Sequence, residues 1–212
     1  MFKGILFDFD GTLADTMKSH YLAWKCALEE HGVHIQARDY YPLEGMRLQD
    51  IATELTKGHC WTQEKINLLV RRKKEFYTRK PSVQFYPGVE SLVTDLRKQK
   101  ILMAIVTAGH LDQLRLSVSA EFLDKFNALI TGDQVSYGKP HPESYMLGAQ
   151  ILGLDPQQCI AVENSPLGVQ SAKQAGVYCI AVCSTVKRDD LVGADMIIDK
   201  FKDLKLCVNM IF

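Results

Sequence analysis

The sequence predicts an α/β protein, in which a core built on a parallel β-sheet carries an inserted, all-helical domain. Five short apolar runs lack the alternation of half-exposed strands, as expected for strands buried on both faces. Helical segments separate the last four of these runs, which is typical of βαβ units. The long stretch 17–86, in contrast, contains no strand-like run.

The predicted elements follow one another in a regular order along the chain. Each strand run is rich in Ile, Val, Leu or Phe, and the predicted strands cover 4–9, 101–106, 128–130, 159–162 and 177–182. The predicted helices between them cover 88–99, 112–125, 142–153 and 168–176. A parallel sheet needs such helical crossovers between successive strands.

The insert reads as a group of helices that small or turn-forming residues interrupt. The breaks fall at His31-Gly32, at Tyr41-Pro42 and at Gly58. The last helix is predicted over 62–80, because its apolar residues recur at helical spacing. We therefore expect a core formed by 1–16 and 87–212, and a helical cap domain formed by 17–86.

Composition excludes several classes of protein. The chain has 212 residues, 47% of them hydrophobic, and its 25 basic side chains equal its 25 acidic ones. A zero net charge argues against a general nucleic-acid binder, which needs a basic surplus. The six cysteines form no CxxC pair, and no apolar run is long enough to span a membrane. We expect a monomeric, cytoplasmic protein with no membrane partner.

Polar residues follow four of the predicted strands at their carboxyl ends. Asp8 and Asp10 follow the first strand, Thr107 the second, and Glu163-Asn164 the fourth, while the third runs into 131–133. Ligands of open α/β sheets bind outside the carboxyl ends of the strands. These side chains should therefore converge on one site.

Two acids at one strand end point to a cation. A carboxylate at the end of a buried strand is costly to desolvate, and Asp8 and Asp10 point the same way out of the pleat. They would repel each other unless a cation lay beside them. Mg²⁺ is the natural cation for oxygen ligands that also engage a phosphate.

Four motifs in order carry a resemblance to a known family. They are FDFDGTLADT at 7–16, VTAG at 106–109, GKPHPES at 138–144 and VENSPLG at 162–168. With a helical insert after the first motif, the chain resembles the haloacid dehalogenase superfamily, in its β-phosphoglucomutase-like and phosphatase branch. The resemblance covers almost the whole chain and implies a Rossmann-like core with an inserted all-α cap domain.

The resemblance implies a role for each core residue. Asp8 would attack phosphorus and form an aspartyl-phosphate, and Asp10 would act as general acid and then as base. The hydroxyl of Thr107 and the backbone of Ala108 would bind the transferring phosphoryl group. Lys139 would offset its negative charge.

The same resemblance implies a Mg²⁺ site. Its ligands would be Asp8, the backbone carbonyl of Asp10, and the pair Glu163 and Asn164. Asn164 departs from the family pattern, in which Asp is commoner. Because Asn keeps a carbonyl oxygen but loses a charge, we expect weaker Mg²⁺ binding rather than none.

Four residues of the cap are candidates for substrate contact. Lys73 lies on the apolar face of its helix, so its amine either reaches an anion or extends to solvent. His20 matches a histidine of the β-phosphoglucomutase branch, and bonding to the hinge backbone is its alternative role. Gly45 and Arg47 resemble the specificity loop of the cap, although the mutase arginine comes one residue later than Arg47.

The expected function is a Mg²⁺-dependent phosphatase acting on a small phosphorylated metabolite. A hexose-phosphate mutase and an inorganic pyrophosphatase are the alternative enzymes, and the displaced Arg47 argues against the mutase. A non-catalytic phosphate-binding module is the alternative of a different class. Asn164 favours that last alternative, whereas Asp8, Asp10 and Lys139 count against it.

Overall fold

The structure, a computed structural model, describes residues 1–79 and 83–211. Within these residues six strands form one sheet, in the order β3-β2-β1-β4-β5-β6, and all neighbours are parallel. The strands are β1 (Gly4–Phe7), β2 (Leu102–Val106), β3 (Ala128–Ile130), β4 (Cys159–Glu163), β5 (Tyr178–Val182) and β6 (Met196–Ile198). The predicted α/β class with a parallel sheet is confirmed. β6 was not predicted, because its three apolar residues stand between two acids, Asp195 and Asp199.

Within its described residues, the insert contains four helices that pack around a core of their own. They are α1 (Met17–Glu29), α2 (Ala37–Tyr40), α3 (Leu48–Leu55) and α4 (Gln63–Thr78). Trp24 of α1 and Leu69 of α4 are fully buried in this cluster. We refer to these helices and their connections as the cap.

The helix predicted over 62–80 is confirmed as α4. The hydroxyl of Thr62 accepts a hydrogen bond from the Lys65 N–H at 3.4 Å, which caps its first turn. Residue 80 of that prediction lies outside the described residues, as do 81, 82 and 212 of the predicted domain ranges. The boundaries at 16/17 and 86/87 stay a prediction.

Six further helices cover the two faces of the sheet. They are α5 (Val89–Lys98), α6 (Leu111–Ser117), α7 (Ala120–Leu123), α8 (Glu143–Ile151), α9 (Pro166–Gln174) and α10 (Leu204–Ile211). Alternate strand residues point to opposite layers: Ile5 and Phe7 face one cluster, with α5 and α10, and Leu6 faces the other, with α8 and α9. Among the described helices, none is long and apolar enough to cross a membrane.

The single helix predicted over 112–125 was wrong. The chain leaves α6 at Val118, whose backbone is extended with φ −135° and ψ 142°. Ser119 then caps α7, because its hydroxyl accepts a hydrogen bond from the Phe122 N–H. A serine between two apolar groups favours a new helix start over helix continuation.

Candidate active site

Lys139 joins two acids at the carboxyl end of the sheet. Its Nζ lies 2.7 Å from Oδ1 of Asp8, which follows β1, and 2.6 Å from Oε1 of Glu163, which ends β4. All three side chains are buried. The Asp8 N–H donates to the Val162 carbonyl at 2.9 Å, so the strand pairing fixes the backbone that presents this carboxylate.

The Glu163 carboxylate has partners on both oxygens. Oε1 accepts from Lys139 and from the Tyr145 hydroxyl at 2.9 Å. Oε2 accepts from the N–H groups of Asn164 and Ser165 and from the Ser165 hydroxyl, at 2.9, 3.1 and 3.1 Å. A methyl group at Gly168 would overlap this carboxylate. The structure therefore holds Glu163 as the anchor of Lys139, a role that the sequence analysis did not assign to it.

Burial and charge shift the pKa values of these three groups. Burial raises the pKa of Asp8; the Lys139 ammonium opposes this shift, and the charge of Glu163 adds to it. Burial would lower the pKa of Lys139, but Asp8 and Glu163 hold it above its usual range. Burial would likewise raise the pKa of Glu163, yet Lys139 holds it below its usual range.

Asp10 accepts hydrogen bonds from three side chains. Its Oδ1 lies 2.7 Å from the Thr16 hydroxyl and 2.8 Å from Nε2 of His20. Its Oδ2 accepts from the Thr107 hydroxyl at 3.2 Å, and that hydroxyl in turn accepts from the Gly109 N–H at 3.0 Å. Thr107 thus orients Asp10, and the sequence analysis missed Thr16.

A buried chain of polar groups runs from the cap to Asp10. Nζ of Lys73, on α4, lies 2.8 Å from Nδ1 of His20, on α1. The ring of His20 stacks on Tyr77 at a centroid distance of 4.2 Å. The Lys73 side chain is 0% exposed, so the amine turns inward to His20 rather than extending to solvent.

These contacts set the protonation of Asp10 and of its partners. Burial would raise the pKa of Asp10, but the His20 ring, the Thr16 hydroxyl and the Lys73 charge hold it well below its usual range. Burial lowers the pKa of Lys73 to about 7, although Asp10 opposes this shift. Burial and the Lys73 charge also lower the pKa of His20, against the opposing effect of Asp10.

Asn164 links the core to the cap. Its Oδ1 accepts from the Thr12 hydroxyl at 2.9 Å, and its Nδ2 lies 2.8 Å from Oγ1 of Thr185. The same Nδ2 donates to Oε1 of Glu44, which belongs to the cap loop before α3. A side chain at Gly11, where φ is +83°, would overlap Asn164. The sequence analysis missed Glu44.

The cap loop also approaches the core at Gly45. Its φ is +92°, and a methyl group there would lie 3.2 Å from Oγ of Ser165 and 3.5 Å from Cδ of Lys139. Arg47 turns away from the site: its Nε donates to Asp50 at 2.9 Å, and its Nη1 donates to the Ser136 carbonyl of the core. Gly45 therefore borders the site, whereas Arg47 fastens the loop at its rim.

A small cavity lies between the cap and the core. Its volume is about 40 Å³, room for a few water molecules rather than a sugar phosphate. A substrate therefore requires the cap to open and close. The polar residues that line it are Asp8, Asp10, His20, Tyr40, Glu44, Lys73, Asn164 and Ser165, and the small residues Gly45, Ala108 and Gly109 line it as well.

The site suits a hard cation. Oδ2 of Asp8 and Oε2 of Glu44 are buried and lack a hydrogen-bond partner among residues 1–79 and 83–211. Buried carboxylate oxygens without a partner are costly, and oxygen donors are what Mg²⁺ prefers. Over the same residues, no three His, Cys, Asp or Glu side chains are already grouped as a metal cage. Lys139 occupies the space between Asp8 and Glu163 instead.

The sequence model of the haloacid dehalogenase-like hydrolases matches residues 5–182 of the chain. The protein belongs to this family. The match spans the strand ends that carry Asp8, Thr107 and Glu163, as well as the whole cap. The protein is thus an enzyme of the phosphatase or phosphotransferase type, as the related proteins below also indicate.

Relatives of this haloacid dehalogenase-like hydrolase include phosphatases and a mutase. Hexitol phosphatase A of Escherichia coli is 32% identical, over 95% of this chain and 93% of its own. Beta-phosphoglucomutase of Bacillus subtilis is 24% identical, over 96% of this chain and 92% of its own. The structure of CbbY from Rhodobacter sphaeroides in complex with phosphate has a TM-score of 0.83 and 25% identity, covering 96% of both chains. The predicted family and its branch are confirmed.

The structure brings most of the predicted site residues of this hydrolase together. Ten of them line the cavity or touch a residue that lines it: Asp8, Asp10, His20, Gly45, Lys73, Thr107, Ala108, Lys139, Glu163 and Asn164. Glu163 lies behind Lys139, and Arg47 lies at the rim. Their roles in binding and catalysis stay a prediction.

Proposed function

We propose that this protein is a Mg²⁺-dependent phosphatase of a small phosphorylated metabolite, and that it works through an aspartyl-phosphate on Asp8. One observation carries the proposal. Oδ1 of Asp8 is held by Lys139 at 2.7 Å, while its Oδ2 is buried without a partner among the described side chains. A carboxylate that is fixed by one oxygen and has the other unpartnered, and that lines a cavity together with Asp10, suits a nucleophile.

Lys139 and the neighbouring backbone would receive the phosphoryl group. The Lys139 ammonium lies beside the attacking carboxylate, where it offsets the negative charge that gathers as phosphorus is approached. The backbone of Ala108 and Gly109 lines the same cavity. The bond formed joins Oδ2 of Asp8 to phosphorus, and the bond broken releases the substrate oxygen as an alcohol.

Asp10 would move the protons of both half-reactions. Its low pKa keeps Asp10 ionised in this arrangement but makes it a weak base, so it needs a neighbouring negative charge before it can take a proton from the attacking water. An arriving phosphate anion raises the pKa of a neighbouring carboxyl. That change favours the protonated form of Asp10, which the leaving alkoxide requires.

Mg²⁺ would be held by oxygen atoms of the core. The candidates are the Asp8 carboxylate, the backbone carbonyl of Asp10 and the side-chain carbonyl of Asn164, with Glu163 acting through water. When bound, the cation neutralises charge on Asp8 and on the phosphate oxygens. A positive charge held there would favour the ionised form of Asp8, whose pKa burial raises.

The relatives and the polar groups of the site support one substrate class. Hexitol phosphatase A, at 32% identity over 95% of the chain, supports a sugar or hexitol phosphate as substrate. Hydroxyl groups of such a substrate would meet polar cap side chains such as His20 and Lys73. We further propose a monomer in the cytoplasm, which gel filtration with light scattering would test.

A hexose-phosphate mutase is the second candidate, because the beta-phosphoglucomutase of Bacillus subtilis aligns over 96% of the chain. A mutase must hold a bisphosphorylated sugar by its non-reacting phosphate. Arg47 is the predicted group for that task, but its guanidinium pairs with Asp50 and the Ser136 carbonyl. The hydrolase therefore has the stronger support.

The test is phosphate release across a panel of substrates, with and without Mg²⁺. The panel contains hexitol phosphates, hexose phosphates, pyrophosphate, nucleotides and p-nitrophenyl phosphate. The wild type is compared with Asp8→Asn, and with Asp189→Asn as a control on the exposed surface. Acid quench with ³²P-labelled substrate detects the aspartyl-phosphate.

Mg²⁺-dependent release that Asp8→Asn abolishes and Asp189→Asn preserves would support the proposal. Label trapped on the wild type but not on Asp8→Asn would locate the covalent step. Isomerisation of β-glucose 1-phosphate with a bisphosphate primer, faster than its hydrolysis, would favour the mutase. Turnover of pyrophosphate alone would assign a pyrophosphatase, and no turnover would leave a binding module.

A further inference from the structure

Glu44 brings a carboxylate from the cap into the core site. The residue lies in the loop between the turn at Tyr41–Leu43 and α3, yet it is only 4% exposed. Its Oε1 accepts from Nδ2 of Asn164, and Oγ1 of Thr185 lies 3.5 Å away. Its Oε2 is buried and makes no hydrogen bond within the described chain. The side chain lines the same cavity as Asp8 and Asp10.

The site holds more negative than positive charge. Asp8, Asp10 and Glu44 line the cavity, and Glu163 lies behind it. Lys139 pairs with Asp8 and Glu163 and balances one of their two charges, while Lys73, which also lines the cavity, has its pKa lowered by burial to about 7 and adds at most one positive charge. A surplus of buried carboxylates is unfavourable unless one of them takes up a proton or a cation lies among them.

Glu44 lies next to Asn164, the one motif residue of the site that departs from the family pattern. Asn164 stands where the family more often has an acid, so the core lacks one charge for its cation. The side chain in direct contact with Asn164 is an acid from the cap, with one oxygen to spare. The cap therefore places a carboxylate directly beside the core position that lacks one.

We propose that Glu44 is a cation ligand that the cap supplies to the core, in place of the charge that Asn164 lacks. This inference rests on the cation of the proposed function and adds a residue to its ligand set. The spare oxygen Oε2 is the donor atom. Because α1 to α4 move with this loop, cation binding and cap closure stabilise each other, and the coupling is reciprocal.

A pure latch role makes a different prediction. If Glu44 only fastened the cap to Asn164, a Gln at the position would suffice, because its amide oxygen still accepts from Nδ2 of Asn164. Glu44→Gln therefore removes the charge and keeps the hydrogen bond. The cation role requires the charge, so this substitution separates the two.

The experiment measures Mn²⁺ binding to the intact protein without substrate. Free Mn²⁺ is counted by its electron paramagnetic resonance signal, and Mg²⁺ competition extends the result to the proposed cation. We expect Glu44→Gln to bind Mn²⁺ at least about tenfold more weakly, since the charge of the ligand set governs affinity. Glu54→Gln, an exposed glutamate on α3, is the matched control and should bind like the wild type.

A double variant provides the rescue. Glu44→Gln with Asn164→Asp restores the number of carboxylates, so its affinity should return toward that of the wild type. Circular dichroism checks that each variant is folded, and Glu44→Ala serves as a second test should Glu44→Gln not fold. Equal affinity of Glu44→Gln and wild type overturns the inference alone. No Mn²⁺ binding by the wild type overturns both the inference and the cation of the proposed function.

Discussion

Nζ of Lys73 lies 2.8 Å from Nδ1 of His20, and both residues are buried, with exposed fractions of 0% and 5%. His20 passes this contact on to Asp10, because its other ring nitrogen lies 2.8 Å from Oδ1. His20 thus connects a buried amine, that of Lys73 in the cap, to a buried carboxylate, that of Asp10 in the core. The cap fixes the protonation of Asp10 through His20, and opening the cap would release it.

Lys73→Met should stabilise the fold and impair turnover. Burial lowers the pKa of Lys73 to about 7, well below its value in the unfolded chain, so below pH 7 the folded protein keeps a desolvated charge. Between pH 7 and about 10.5 the unfolded state binds more protons, and stability rises with pH. Met removes this dependence.

Thermal unfolding of Lys73→Met and wild type at several pH values checks this prediction. The gain in midpoint temperature should be largest at pH 6 and shrink toward pH 10, while kcat falls at all of these values. Arg71→Met, at an exposed position of the same helix, is the control and should leave both quantities almost unchanged. A gain that did not depend on pH would contradict the buried charge.

Lys139→Met should unfold more easily in the absence of a divalent cation. The substitution leaves Asp8 and Glu163 buried together with no ammonium between them. Breaking such a buried pair from one side costs about 3–5 kcal/mol. Urea denaturation measures the loss, with Lys57→Met on the surface as the control.

The pH dependence of Lys139→Met identifies the cause of its instability. Without Lys139 the pKa values of Asp8 and Glu163 rise above their unfolded values, so both carboxyls are protonated more readily in the folded state. Stability should then decrease as pH rises from 5 to 8, the reverse of the trend for a depressed carboxylate. A loss that stayed constant over this range would point to packing instead.

Gly168→Ala tests the anchor of Lys139. Alanine in a helix normally stabilises by about 0.5–1 kcal/mol relative to glycine. At Gly168, in α9, the new methyl group would overlap the Glu163 carboxylate, so we expect destabilisation of about 1–3 kcal/mol and a large loss of kcat.

Gly193→Ala is the matched control, because the nearest atom to its new methyl group is Cγ1 of Val169 at an ordinary 3.5 Å. Urea denaturation and the rate of phosphate release are compared for the two variants. A Gly168→Ala variant with wild-type stability and rate would show that Glu163 can move away freely, and that its hydrogen bonds do not fix Lys139.

Asn164→Asp should bind Mg²⁺ more tightly and be less stable without it. The new carboxylate adds charge for the cation, but it also removes the amide that donates to Glu44 and leaves two acids in contact. The Mg²⁺-induced rise in unfolding temperature should therefore exceed that of the wild type. Calorimetry with and without Mg²⁺ measures both effects, and an unchanged or higher Mg²⁺ activation constant would contradict them.

The core of the fold could be predicted because its signals are local. Strands such as β1 and β4, buried on both faces, appear as unbroken apolar runs, and the strand ends place Asp8, Thr107 and Glu163 at one edge of the sheet. Short elements were harder. β6 is a run of three apolar residues between two aspartates, and the break at Val118 depends on a serine cap that no periodicity reveals.

The partners within the site could not be read from the sequence. Glu44 and Asn164 are distant in the chain, and only the folded cap brings them together. In the same way, the sequence marked Lys73 as unusual on an apolar face but gave no indication that His20 was its partner. Contacts between residues of two domains depend on how the domains pack. The residue types at single positions do not reveal this packing.

Arg47→Ala should weaken the enzyme equally toward all of its substrates. Arg47 fastens the cap loop: its Nε donates to Asp50 at 2.9 Å, and its Nη1 donates to the Ser136 carbonyl of the core. Its side chain does not line the cavity that Asp8 and Glu44 border within the described residues. Loss of these two contacts lowers the population of the closed cap. This raises KM and reduces kcat/KM for every substrate by the same factor, about ten or less. The measurement compares kcat/KM for a hexitol phosphate, a hexose phosphate and a hexose bisphosphate, with Arg38→Ala on exposed α2 as the control. A loss confined to the bisphosphate would mean that Arg47 grips a second phosphate, and the mutase would then become the better assignment.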